Sequence, residues 1–168
     1  VYGARKVKDG ICDKLRQVWG ERPDVDTKNP DHRITVFIDN DSVQIGLDLC
    51  GESLHRRGYR QQQAKAPIKE TLAAAILARS NWRKIAEEGG TFIDPMCGSG
   101  TLAIEAAMIA TNKAPNLDRK NWAFTKLVGF DKEKWQTIHR EATDTFNQTV
   151  VENQCKIVGS DSDGYAIT

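Results

Sequence analysis

Several absences narrow what this 168-residue chain can be. No apolar run approaches the ~20 residues of a membrane-spanning helix, and no basic, apolar, small-residue series reads as a signal peptide. Cysteine is sparse. Cys12, Cys50, Cys97 and Cys155 form no Cys-x-x-Cys pair, so no zinc or other metal site is expected, and four free thiols suit a reducing, cytoplasmic compartment. Charge of one sign is missing too. A net charge of +1 gives no global attraction to a polyanion, so any basic face must be local. Internal repeats and low-complexity tracts are absent. The chain has no initiator methionine and stops a few residues past its second parallel-type strand. So small an open sheet covers its faces and edges poorly, and a piece of a longer protein is expected.

What is present centres on residues 91–107, TFIDPMCGSGTLAIEAA. Thr91-Phe92-Ile93 suits a short buried strand, and Pro95, lacking an N–H, ends its pairing. Gly98 and Gly100 permit positive φ and close backbone approach to a ligand. From Thr101 the apolar pattern is helical, and the unpaired amides at that helix start favour an anionic group. A phosphate loop of the Gly-x-x-x-x-Gly-Lys type is excluded, because no lysine follows Gly100. Gly98-Ser99-Gly100-Thr101-Leu102-Ala103 does satisfy the dinucleotide pattern Gly-x-Gly-x-x-Ala. The acid that pattern needs about 20 residues later would be Asp118, but it lies in a proline-containing polar stretch. The next strand, Lys156–Ser160, is followed by Asp161 and Asp163, a late position for a ribose acid.

Other segments divide cleanly. Residues 4–19 place Val7, Ile11, Leu15 and Val18 on one helical face, with Gly20 able to close the helix. Residues 21–33 read as a loop. Ile34, Val36 and Ile38, then Val43, Ile45, Leu47 and Leu49, alternate around Asn40-Asp41 as a hairpin with one buried face. Residues 50–65 lack a period and read as an interdomain connection. Their cations Arg56, Arg57, Arg60 and Lys65 surround Tyr59, a mixture suited equally to RNA phosphates and bases or to pairing with nearby carboxylates. Pro67 opens a helix with Ile68, Leu72, Ala75 and Ile76 at helical spacing, closed by Trp82. In Asn112–Phe130, Trp122 and Phe124 suit RNA contact and anchoring to the core equally. Asp131 caps a last helix with the stripe Trp135, Ile138, Ala142, Phe146 and Val150. His139, beside that stripe, reads as a surface residue.

DPMCGSGT resembles the first cofactor motif of RNA methyltransferases that use S-adenosyl-L-methionine, and VGSDSD their ribose-gripping second motif. KVKDGICD, LDLCGESLHRRGYR, APIKETLAAAIL and AIEAAMIATNKAPNLDRKNWAF extend the likeness over nearly the whole chain. The family it resembles is the THUMP-domain-containing bacterial large-subunit ribosomal RNA guanine-N2-methyltransferase. Its long insertion between first helix and second strand accounts for the late acid.

The resemblance implies an α/β fold: the N-terminal part of a Rossmann-like methyltransferase sheet (61–168), preceded by the C-terminal half of an α+β THUMP-like RNA-binding domain (1–60). It implies cofactor contacts from Asp94, Pro95, Cys97, Gly98, Ser99, Gly100 and Thr101. Asp94 would orient the amino group, and Asp161 would accept the ribose hydroxyls with Asp163 as fallback. It tilts Arg56, Arg57, Tyr59, Arg60 and Lys65 toward large-subunit ribosomal RNA. The family's catalytic Asn-Pro-Pro-Tyr type of motif has no match: Asn29-Pro30 is followed by Asp31 in a polar loop. No catalytic residue is therefore named, and the chain alone is expected to be inactive. A nicotinamide-binding oxidoreductase and a non-enzymatic RNA-binding module remain the alternatives.

Overall fold

In a computed structural model, residues 2–60 and 67–164 are described, and they fall into two compact units, Val1–Leu47 and Asp48–Thr168. The first unit contains helix α1 (Tyr2–Trp19) and strands β1 (Arg33–Asp39) and β2 (Ser42–Asp48). Gly20 closes α1 at φ +83, its N–H bonded to the Arg16 carbonyl at 2.9 Å. The two-residue connection Asn40-Asp41 forces β1 and β2 to run antiparallel, and Asn40 takes φ +48, which asparagine tolerates. The expected buried face is not formed. Val36 is half-buried, while Ile34, Ile38, Val43, Ile45 and Leu47 stay exposed, as does Val18 on α1. A two-stranded ribbon is a single layer, and its face is buried only by a second layer of comparable area.

The second unit orders α2 (Glu70–Arg79), α3 (Trp82–Glu87), β3 (Thr91–Asp94), α4 (Thr101–Ala110), a 3-10 turn (Ala123–Lys126), α5 (Lys132–Glu152) and β4 (Lys156–Gly159). β3 and β4 pair in parallel, with Thr91 opposite Lys156 and Asp94 opposite Gly159. Side chains alternate across this pair. Phe92 and Ile157 face the helices and join a core of Leu77, Trp82, Ala86, Ala106 and Ala110. Ile93 and Val158 point the other way and are 67% and 45% exposed, so β3 is half-covered rather than the buried strand expected. Trp82 links the layers: its indole N–H donates to the Ala106 carbonyl at 2.8 Å and its ring meets Phe92 edge-on.

Two local expectations are corrected. Helix α2 begins at Glu70 rather than at Pro67, and it buries Glu70, Ala73 and Leu77 while Leu72 and Ile76 are exposed. The helix is apolar around most of its circumference, so periodicity left two candidate faces, and the packing of α4 selects one. Residues 50–60 of the segment read as an interdomain connection belong to the second unit. Leu49 accepts from the Phe124 amide at 2.9 Å, and the Cys50 carbonyl accepts from Arg119 at 3.1 Å.

In the insertion, Trp122 and Phe124 serve as anchors. Their rings cluster with Phe130 and Trp135, the Phe124–Trp135 centroids lying 4.9 Å apart, and the Arg119 guanidinium covers Trp122. His139 is half-buried, its Nε2 2.9 Å from the Leu117 carbonyl oxygen, so it is engaged structurally. Asp131 caps α5 as expected, accepting from the Lys134 amide at 2.9 Å.

The assignment of the α2 face is checked by urea denaturation. Leu77→Ala, at a fully buried position, should cost about 2–5 kcal/mol. Leu72→Ala, on the exposed face, should stay within about 0.5 kcal/mol.

Candidate functional site

The parallel pair ends where the glycine turn begins. Ser160 donates to the Asp94 carbonyl and Cys97 to the Ser160 carbonyl, each at 2.9 Å, so the ladder runs past both strands and seats the turn on the end of β4. Asp94 turns back on its own loop, Oδ1 accepting from the Met96 amide at 3.1 Å. Gly98 and Gly100 adopt φ +53 and +75, left-handed values that favour glycine. A Cβ at Gly98 would meet nothing within 4 Å, which leaves open space above the turn. Gly100 donates to the Cys97 carbonyl at 2.9 Å and receives the first backbone bond of α4, from Ile104, at 2.8 Å. The amides of Thr101, Leu102 and Ala103 precede that ladder and are the natural anion donors of the helix start.

Asp161 closes the site. Its Oδ2 accepts from the Gly98 amide at 2.7 Å and its Oδ1 from the Asp163 amide at 2.9 Å. These bonds, Asp163 first and Gly98 next, hold the carboxyl below its ordinary value and keep it ionised. Each oxygen retains a further lone pair for a hydroxyl donor. Asp163 supplies its backbone to Asp161, and its side chain is exposed. Cys97 behaves oppositely. Burial, then the Asp94 and Asp161 carboxylates, push its thiol upward, so it packs as a neutral group.

A residue missed by the motif reading is Gly159. A Cβ there would meet Cys97 Sγ at 3.1 Å and Cys97 Cβ at 3.2 Å, closer than most Cβ contacts, so a bare backbone lets the turn lie against β4. Its presence in VGSDSD was the available signal. Asp118, the other candidate ribose acid, pairs with Lys113 at 2.7 Å on an exposed loop away from any strand end. Among the described residues, no group of three or more His, Cys, Asp or Glu could hold a metal, and no helix is long and apolar enough to cross a membrane.

In the basic cluster the structure shows the pairing with carboxylates that the sequence left open beside RNA contact. Arg57 Nε lies 3.3 Å and Tyr59 Oη 3.0 Å from the same Glu105 oxygen, and Glu105 is only 2% exposed. Arg60 Nε bonds Glu70 at 3.2 Å, while its Nη2 bonds the Ile68 carbonyl at 3.0 Å and Thr101 Oγ1 at 3.1 Å. Arg57, Tyr59 and Arg60 are thus paired with buried carboxylates, and a phosphate would have to compete with Glu105 and Glu70 for them. Burial and the neighbouring Glu105 also drive the Tyr59 phenol strongly upward, and it stays protonated. Arg56 is exposed, and Lys65 lies outside the described residues. Glu105, the lone acid in the apolar run TLAIEAAMIA, was the overlooked clue.

A strand, a left-handed glycine turn, a helix start and an acid at the end of the neighbouring parallel strand make up a Rossmann-like strand–turn–helix unit. The chain belongs to the family described as RMKL-like, methyltransferase domain, whose pattern matches residues 57–168; residues 1–48 match the THUMP domain. It is 57% identical over 141 residues to the ribosomal RNA large subunit methyltransferase K/L of Pseudomonas fluorescens Pf-5, covering 84% of this chain and 19% of that protein. Among solved structures, a predicted N6-adenine-specific DNA methylase from Listeria monocytogenes aligns with a TM-score of 0.76 at 32% identity. The putative methyltransferase SMU.472, complexed with SAH, aligns at 0.67 and 35%. Both alignments cover 95% of this chain and 40% of the other. The chain spans about a fifth of the length of the curated relatives it matches.

The Asp161 clamp has a pH signature. Because its native value is lowered, its contribution is complete above the ordinary carboxylate range and is lost as pH falls through the lowered native value. The Gly98 amide resonance should therefore shift in acid with a midpoint below that of an ordinary aspartate. Asp161→Asn should abolish that titration.

Proposed function

We propose that residues 94–101 and Asp161 hold S-adenosyl-L-methionine, and that this chain is the cofactor-binding part of a methyltransferase acting on large-subunit ribosomal RNA at guanine N2. The observation that supports the reading is the Asp161–Gly98 bond, which joins the candidate ribose acid to the glycine turn across a sequence separation of 63. The residues fit the ligand. Open space above Gly98 admits the methionine backbone, the amides of 101–103 meet its carboxylate, and the ionised Asp161 retains acceptors for two ribose hydroxyls. Asp94 faces the same loop and is the candidate to orient the amino group; Pro95, Cys97 and Ser99 shape the turn. When bound, the cofactor supplies a sulfonium methyl group for transfer to an amine. The printed name of the K/L relatives supports the ribosomal target, and a cytoplasmic setting is proposed with it.

Adenine N6 is the second reading, favoured by the name of the Listeria neighbour. Both targets are exocyclic amines, and neither choice is written in the site. Base positioning is expected from an Asn-Pro-Pro-Tyr type of motif, which this sequence lacks. Without that alignment about 7–11 kcal/mol of barrier lowering is forfeited, so the chain alone should transfer no radiolabelled methyl to undermodified ribosomal RNA. Turnover would show that the catalytic residues are already here.

Calorimetry tests the cofactor assignment. The chain should bind S-adenosylhomocysteine in preference to NAD. Gly98→Val and Asp161→Ala, shown to be folded by circular dichroism, should each weaken that binding by about tenfold or more (~1.4 kcal/mol). Unchanged affinity in both would refute the site.

A further inference from the structure

We infer that Arg60 is a positioning residue for the glycine turn: its guanidinium reaches from the segment ahead of α2 and fixes Thr101, the residue on which the turn becomes helix α4. The inference deepens the cofactor reading and rests on it for its consequence, although the clamp itself is a matter of geometry. The turn has little steric support of its own. Two of its residues are left-handed glycines, and a side chain at Gly98 would touch nothing. Hydrogen bonds must therefore hold its shape. On the entry side these are Cys97 to Ser160 and Gly98 to Asp161. On the exit side, Gly100 caps α4 with no side chain, so the usual Ser/Thr/Asp capping bond is absent there. The group that reaches this point is Arg60, through Thr101 Oγ1 at 3.1 Å.

The surroundings make that bond directional. Thr101 is 3% exposed and Glu70 6%, so neither hydroxyl nor carboxylate can exchange its partner freely for water. Glu70 holds Arg60 Nε at 3.2 Å and the Ile68 carbonyl shares Nη2, which fixes the plane of the guanidinium. One turn further along α4, Glu105 binds Arg57 and Tyr59. The segment is thus tied to α4 at positions 101 and 105, on one face of the helix. A shift of residues 57–60 would carry the start of α4 with it. The glycine turn is in this way tied to residues 57–60 of the same unit.

Hydrogen exchange on the whole 168-residue chain tests this without requiring ligand. The informative amides are Gly100 and Ile104, which are bonded within the turn and the first turn of α4; Leu77 and Ala110 report on the core. Thr101→Val removes the acceptor, Thr101→Ser retains it, and Arg60→Lys keeps the charge while losing the fork. In Thr101→Val, Gly100 and Ile104 should exchange about tenfold faster, the scale of one charge-assisted hydrogen bond, with Leu77 and Ala110 unchanged. Thr101→Ser should match the parent and Arg60→Lys should lie between. Parental exchange in Thr101→Val, or equal acceleration of turn and core, would overturn the inference. In parallel, calorimetry should show S-adenosylhomocysteine affinity falling several-fold in Thr101→Val and restored in Thr101→Ser. If the parent binds no S-adenosylhomocysteine, the cofactor reading fails, while the exchange result still decides the clamp.

Discussion

The bond between the Gly98 amide and the Asp161 carboxylate is the contact on which the site depends. Everything between those residues is arranged so that it can form. β3 and β4 must be parallel neighbours in the observed register, because only then do Asp94 and Gly159 finish level and let Ser160 extend the ladder into the turn. Gly159 must lack a side chain for Cys97 to settle against β4. The crossover has to pass through α4, the insertion and α5 and return in line. Hence the core is concentrated under the Phe92–Ile157 face, where α3 and α4 pack through Trp82.

The same arrangement explains the charges. A carboxylate accepting backbone N–H bonds stays ionised, whereas the thiol beside it, partly buried and close to two carboxylates, stays protonated. The loop therefore presents the Asp94 and Asp161 carboxylates beside a row of amide donors. Such an arrangement suits the proposed ligand, which has a carboxylate at one end and a diol at the other.

Much of this was legible in the sequence because it is local. Glycines at fixed spacing before an apolar helix, an acid directly after a β-prone run, and Asn40-Asp41 between alternating strands each specify backbone geometry over a few residues. What was not legible depended on which surface covers which. Leu72 and Leu77 are equally apolar, and only the position of α4 buries one and exposes the other. For Arg57 and Arg60 the sequence left RNA contact and carboxylate pairing level, because the partners, Glu105 and Glu70, are 48 and 10 residues away. The hairpin alternates correctly, yet alternation states which face is apolar and not whether a second layer lies upon it.

The central claim is that the turn and Asp161 form one cofactor pocket, and chemical-shift mapping of the isotope-labelled chain reads it directly. Addition of S-adenosylhomocysteine should move the amide resonances of Gly98–Ala103 and Asp161–Asp163 together, with one apparent affinity, and leave Leu77, Trp82 and Trp135 in place. Shifts confined to the insertion or to the first unit, or two groups of residues titrating with different affinities, would contradict the account.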